Sequence, residues 1–479
     1  MNNQTSNSFI KNPRTNWKYI FIVVILVVLV GGGILGYRYW WVSKEEAKVP
    51  EKEPIVEEPT MNLTTTKLAT IPGDYEIVAG PIFSPNGRKV AYVAKKENKN
   101  FVVVNGKEGR AYDEIVGNPV FSNDSQKLAY IAKKDCIESV MEYEGKKYPI
   151  KTGCKKVVIV NEEEGKAYDD ITSFIFSPDS QKLVYEAVKE RNFLMVVNGK
   201  EEDGHYPIFS PDSQKTAFIV SEGNKRFVVV NGKKGKAYDL IHDITFSPDS
   251  QEIAYVAEKE DKYLIVRNDE EGKLYHVILG PPVFSPDGKK IAYVAREEKA
   301  MKFFMVVNEK EDTRHDDVGA PVFSPNSQKL AYRAKKVGRF HEVIVGNERT
   351  SLIVVNGEEG KTYDEVFDPV FSPDSQKIAY RASRQRQDDH GNFIVVNGEE
   401  IKVNTTSQSP VFTPIFSPDS QKIAYVDMEY NKMLTVINGK KSKAYDRIFG
   451  KPKFTSDGQY IVYGAKKGNE LWWIVDKVE

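Results

Sequence analysis

Phe176–Tyr185 reads FSPDSQKLVY, and this phrase decides the fold. It recurs as FSPNGRKVAY from Phe83, FSNDSQKLAY from Phe121, FSPDSQKTAF from Phe209 and FSPDSQEIAY from Phe246. It continues as FSPDGKKIAY from Phe284, FSPNSQKLAY from Phe323, FSPDSQKIAY from Phe371 and Phe416, and FTSDGQYIVY from Phe454. The ten copies are spaced by 38, 55, 33, 37, 38, 39, 48, 45 and 38 residues. A second phrase follows most of them, as in FVVVNGKEGRAYDEI from Phe101 and FVVVNGKKGKAYDLI from Phe227.

Each unit parses into four short strands. Strand a is apolar and ends at the repeat Phe, as in Pro119-Val120-Phe121. Pro-Asp/Asn-Ser/Gly then turns the chain, because proline fixes φ and the Asp or Asn side chain bonds the local backbone. Strand b is the Ile-Ala-Tyr-Val-Ala run, and strand c the Val-Val-Val run. Asn-Gly closes c in six units (Asn105, Asn198, Asn231, Asn356, Asn397 and Asn438), a hairpin signal. Strand d carries Ala-Tyr-Asp or a near variant at Tyr112, Tyr168, Tyr238, Tyr363 and Tyr445. No helical period interrupts the body. Repeated four-strand units of this size predict an all-β chain of about ten four-stranded propeller blades.

The phrase FSPDGKKIAY resembles the WD40-like (PD40) repeat of TolB-like β-propeller proteins, and the propellers of prolyl oligopeptidase-type peptidases carry a similar repeat. The resemblance covers roughly residues 75–476. It implies protein–protein contact in a bacterial envelope. Tyr75-Glu76-Ile77-Val78 looks like a strand d without its own blade, while the last unit stops after strand c. An N-terminal strand completing the last blade would remove both open edges. One large ring and two smaller rings both fit ten units.

The N-terminal region differs. Tyr19–Tyr37, YIFIVVILVVLVGGGILGY, carries no charge over 19 residues, long enough to cross the hydrocarbon core. Lys11, Arg14 and Lys18 precede it without an acid, and Tyr37, Tyr39, Trp40 and Trp41 follow. The positive-inside rule gives a cytoplasmic tail at 1–18, a transmembrane signal-anchor helix at 19–41, and everything beyond outside the membrane. The other reading is a cleaved signal peptide, for which the apolar stretch is long. Residues 42–66, with Pro50, Pro54 and Pro59 among Lys and Glu, read as a solvated stalk, and 67–479 as the propeller. The expected localisation is the cell membrane, with the propeller periplasmic or extracellular.

Irregularities in the repeat carry the functional expectations. Cys136 and Cys154 lie in the 55-residue step, inside an insertion between strands b and c. An exterior compartment favours a disulfide between them over two separate thiols. The 48-residue step also grows between b and c (334–350), and the 45-residue step between b and c (383–392) and between d and a (403–413). The b–c and d–a loops share one face of a propeller, so all growth falls there, which points to binding. In strand b, Arg333 and Arg381 replace the usual Val or Ile, and Glu186 does so in the third unit. With Arg384 and Arg386 nearby, this sector is the candidate site for an anionic ligand or acidic peptide. The competing reading is structural ion pairing.

Other chemistry is weakly signalled. The histidines His205, His242, His276, His315, His341 and His390 read as blade decoration, and the recurring turn Asp as capping rather than calcium binding. No metal or cofactor is expected. The chain lacks a G-x-S-x-G elbow, a P-loop, GxGxxG and HExxH. Lys+Arg and Asp+Glu both number 68, which argues against a nucleic-acid partner. The function expected is therefore a binding or scaffold module for an extracytoplasmic protein, peptide or glycan. The alternatives are a hydrolase or lyase working in the propeller channel on polysaccharide or peptide, and a structural surface protein.

Overall fold

The computed structural model describes residues 61–143, 146–298, 301–337, 349–386, 389–404 and 413–478. The expected tail, signal-anchor and most of the stalk lie outside the described residues, as do parts of the later insertions. Among the described residues the strands sort into ten antiparallel blades, each ordered a-b-c-d. Blade 1 is Glu76–Phe83, Val90–Lys96, Lys99–Val104 and Lys107–Tyr112. In blades 7 and 8 strand a is split into two short pieces that pair with the same strand b.

The turns follow the sequence chemistry. At Asn105-Gly106 both central residues have positive φ, 50° and 81°, the geometry of a tight hairpin that matches strand twist. The Asn105 side chain then accepts the Val90 N–H at 2.8 Å, which ties turn c–d to strand b. Asn198, Asn231, Asn397 and Asn438 repeat the bond.

Packing between blades decides the ring. One hydrophobic cluster fills each boundary. Tyr112 of blade 1 packs with Ile115 and Tyr130 of blade 2. The series continues through blades 2–3, 3–4, 4–5, 5–6, 6–7, 7–8, 8–9 and 9–10. The last cluster joins Ala69 and Leu471 of blade 10 to Val90 and Tyr92 of blade 1. Successive contact with a single closure makes one ring of ten blades, which removes the two-ring alternative. Edge-on aromatic pairs recur at these boundaries, such as Tyr168–Tyr185 at 6.0 Å and Tyr238–Tyr255 at 6.1 Å. Each contributes about 0.5–1.5 kcal/mol beyond area burial.

Closure uses a different strand from the one expected. Thr66–Thr70 pairs with Glu470–Lys477 and supplies strand d of blade 10, whereas Glu76–Phe83 is strand a of blade 1. The closing strand, TKLAT, lacks the Ala-Tyr-Asp signature and starts at the last residue assigned to the stalk, so the sequence hid it. The closing boundary is tight. A Cβ on Gly464 would fall 2.2 Å from the Phe83 ring, and one on Gly87 would fall 2.0 Å from Trp473.

Strand a forms the inner edge. Strands a of neighbouring blades touch, those of blades 1 and 2 and of blades 5 and 6 most closely. Proline suits this edge, since it has no N–H to leave unpaired. Pro119, Pro282, Pro321, Pro369 and Pro452 occupy it, two residues before the repeat Phe, and are buried.

Candidate functional site

Most charged and polar groups of the repeat are used to bind one blade to the next. The turn Ser hydroxyl donates to the turn Asp, as Ser210 does to Asp212 at 2.5 Å. The Asp212 N–H in turn donates to Ser250 Oγ of the next blade at 3.0 Å. The repeat Lys crosses the same boundary, Lys215 Nζ donating to the Ser250 carbonyl at 2.6 Å. This confirms the turn Asp as a cap and adds an inter-blade role that spacing did not reveal.

The Ala-Tyr-Asp phrase works on the opposite face. Tyr112 donates to Glu164 of blade 2 at 3.1 Å, Tyr168 to Glu201 of blade 3, and Tyr238 to Glu271 of blade 5. His315 takes the tyrosine's place in blade 6, fully buried, with Nε2 3.0 Å from Glu359. The following Asp caps the next blade's b–c turn: Asp169 accepts the Glu190 N–H at 2.7 Å and Asp364 the Gln385 N–H at 2.6 Å.

Groups outside this scheme are the functional candidates, and they concentrate on strand a. The residue three before the repeat Phe sits on the inner edge and varies between blades. It is Asn118, Ser173, Tyr206, Asp243, Asp368 and Lys451 in blades 2, 3, 4, 5, 8 and 10. Tyr206 is 56% exposed, and the Asp368 side chain 62%. These side chains make a polar ring of mixed charge around the channel. The sequence reading missed it, although alignment of the ten copies on their Phe would have shown that this position changes beside a position that is Pro in eight of them.

The environment of this ring is partly desolvated. Asp368 lies 3.4 Å from Arg333 Nε. Although the Asp368 side chain reaches solvent, the protein crowded around it reduces its hydration and raises its carboxyl above the ordinary value, against the lowering effect of Arg333. Burial, with Arg226 nearby, brings the His205 imidazole down to about 4. His242 Nδ1 sits 2.8 Å from Asp243. No cluster with metal-ligand character occurs among the described residues.

Of the expected arginines, Arg381 and Arg384 lie on opposite sides of one sheet. Arg333 of blade 7 faces blade 8 and pairs with Asp368, its stem filling the space beside Gly319. Arg381 of blade 8 is buried, lies 4.7 Å over the Phe367 ring, and donates to Asn392 at 3.4 Å. Arg384 stands three residues on, so strand alternation turns it to the other side of the sheet. There it stacks on Tyr363 at 5.0 Å and pairs with Glu400. Arg386 ends strand b of the same blade. Glu186, the third charge in this register, accepts from Thr172 at 2.7 Å. A depression of about 210 Å³ opens between blades 7 and 8, lined by Lys335, Ser351, Asp364, Glu365 and Gln385.

The loop face carries the largest irregularity. Cys136 and Cys154 are bonded, as expected. Between them Ile137–Tyr143 and Lys146–Thr152 form a two-stranded sheet standing off blade 2. Ile137 is 66% exposed, Val140 60%, Met141 49% and Tyr148 43%.

No family model matches the chain, and no curated protein matches it. Solved structures similar to it include the β-propeller domain of the Trilobed protease from Pyrococcus furiosus, at 14% identity and TM-score 0.30, over 75% of this chain and 93% of that one. An oligogalacturonate lyase in complex with manganese aligns at 12% identity and TM-score 0.33, over 72% and 98%. TolB from Acinetobacter baumannii aligns at 16% identity and TM-score 0.25, over 62% and 76%. The ten-bladed fold itself rests on the sheet order and the ring of boundary clusters.

Proposed function

We propose that this chain is a membrane-anchored, extracytoplasmic β-propeller of the PD40, TolB-like kind that binds a protein partner on its loop face. The carrying observation is the disulfide-bonded hairpin of blade 2. Its register sets Ile137, Met141, Tyr148 and Ile150 on one side and Glu138, Val140, Glu142 and Lys147 on the other. An exposed apolar side on a stapled element is a preorganised contact surface. The opposite side carries acids as well as a base, which favours a protein over an anionic polymer or lipid surface. The anchor rests on the uncharged 19–37 stretch and its basic flank. The disulfide supports an oxidising compartment.

The test is photo-crosslinking from position 141 in native membranes, followed by reconstitution of any captured protein with the purified full chain. Ile137→Lys with Met141→Lys should weaken the reconstituted complex by about tenfold or more, as loss of a central apolar anchor does. Equal affinity for wild type and variant would refute the hairpin as the contact.

A second reading is an enzyme acting in the channel. Asp368 favours it, because a carboxyl on the channel wall, 3.4 Å from Arg333 and raised by its reduced hydration, is a candidate acid. Turnover of a glycan or peptide that disappears in Asp368→Asn would establish this reading, and turnover unaffected by that change would exclude Asp368.

A further inference from the structure

We infer that the depression between blades 7 and 8 binds a small zwitterion of the α-amino-acid kind, with its ammonium group on Asp364 and its carboxylate on Lys335. The depression measures about 210 Å³ and is lined by Lys335, Ser351, Asp364, Glu365 and Gln385. That is far above the ~10–15 Å³ that holds one water. Three departures from the repeat meet there. Each removes a group that other blades use to fill or neutralise the same place.

The first departure is missing bulk. Strand register sets Ser351 opposite Lys335. At the same register position Phe193, Arg226, Tyr263 and Phe303 stand in blades 3 to 6. Ser351 is 1% exposed, so a short side chain inside the boundary opens the space. The second is a missing cation. In blades 1, 2, 4 and 9 the lysine one residue earlier in strand c (Lys99, Lys155, Lys225 or Lys432) pairs with the Asp of the Ala-Tyr-Asp phrase. Thr350 holds that place in blade 7, and Asp364 makes no ion pair among the described residues. The third is a shortened acid. Between strands a and b, Glu76 pairs with Lys95 at 3.6 Å and Glu114 with Lys133 at 2.7 Å. Asp317 stands opposite Lys335, a methylene shorter, and makes no ion pair with it.

The result is a half-buried cation and a half-buried anion on one wall, which make no ion pair with each other. The neighbouring charges are committed: Lys336 pairs with Glu359, and Arg384 with Glu400. Glu365 borders the space, but its cross-strand partner is Ser383, and alternation from Val366 and Ala382 turns both towards blade 9. Asp364 Oδ2 accepts the Gln385 N–H at 2.6 Å, which fixes the carboxylate and leaves Oδ1 for a ligand. A molecule carrying both charges gains a charge-assisted hydrogen bond at each end. A purely cationic or purely anionic ligand satisfies one group and is repelled by the other.

This depression and the blade 2 hairpin are on different blades, so each can fail alone. The test is ligand-detected NMR titration of the full chain with L-alanine, and with its two halves, ethylamine and propionate, as probes. Alanine should bind, and each half should bind about tenfold or more weakly, the scale of one charge-assisted hydrogen bond. Asp364→Asn keeps an acceptor for the Gln385 N–H; it should weaken alanine about tenfold and not weaken propionate. Lys335→Met should weaken alanine as much and not weaken ethylamine. Ser351→Phe, which places the blade 6 side chain in the space, should abolish binding. Absence of alanine binding at millimolar concentration, or alanine binding that survives both charge variants, overturns the proposal. Either half binding as tightly as alanine overturns it too. An unchanged thermal midpoint for Lys335→Met separates its loss of binding from a loss of folding.

Discussion

Arg267 of blade 5 donates from Nη2 to the Gly288 carbonyl of blade 6 at 3.1 Å, where other boundaries use the repeat lysine. Blade 5 carries Glu252 in the lysine's place, and Arg267 pairs with it through Nε. One side chain thus neutralises the substitution and restores the bond to the next blade. Arg267→Met should lower stability by about 1–3 kcal/mol, because it strands a half-buried carboxylate and a carbonyl. Adding Glu252→Lys should recover most of the loss. Denaturant unfolding of the single and double variants checks this, and an additive double mutant would mean that the two positions act separately.

Ser213 is 1% exposed and its Oγ accepts the Asp179 N–H at 3.0 Å. Ser213→Ala leaves that donor without a partner at a buried boundary. A loss of about 1–2 kcal/mol is expected, with faster exchange of the Asp179 amide. An unchanged exchange rate would count against the inter-blade bond.

Gly464 faces the Phe83 ring across the closing boundary. Gly464→Ala should overpack that boundary by about 1–3 kcal/mol, while Phe83→Leu in the same chain should relieve part of it. The measurement is the midpoint of thermal unfolding for the three variants. No change for Gly464→Ala would show that the closure yields readily.

The carboxylates of Glu164, Glu271 and Glu359 are lowered from their ordinary value, chiefly by Lys134, Lys259 and Lys336 and then by Tyr112, Tyr238 and His315. Their folded-state values are depressed, so their stabilisation is present above the unfolded value of about 4.3 and is lost as pH falls through the folded one. Thermal midpoints should therefore fall steeply below about pH 4. The triple Glu→Gln variant should start lower and show a shallower slope. An identical slope would assign acid sensitivity to other groups.

The disulfide is expected to act locally. Its cysteines are 18 residues apart, and closing such a loop is worth about 3 kcal/mol in the chain-entropy model. Cys136→Ser with Cys154→Ser should speed hydrogen exchange across 137–152 and leave exchange in the blade cores unchanged. Loss of protection throughout the ring would show that the hairpin supports blade 2 itself.

The repeat made the blades, their turns and the position of the cysteine insertion legible, because each depends on contacts within about 40 residues. Fixed φ at proline, left-handed Asn-Gly turns and alternating apolar residues act locally. The same locality explains why TKLAT was missed as the closing strand: its partner, Glu470–Lys477, lies at the other end of the body, and its own five residues carry no distinguishing pattern.

Only the tertiary structure decided how the blades meet. A single ring followed from the closing cluster of Ala69, Leu471, Val90 and Tyr92. The separation of Arg381 from Arg384, and the ring of Asp243, Asp368 and Lys451 on the inner edge, followed from which side of each sheet faces a neighbour. Sequence determines what each blade is, because strand and turn energies are short-ranged. Burial and charge pairing between blades depend on distances that close only when all ten are assembled.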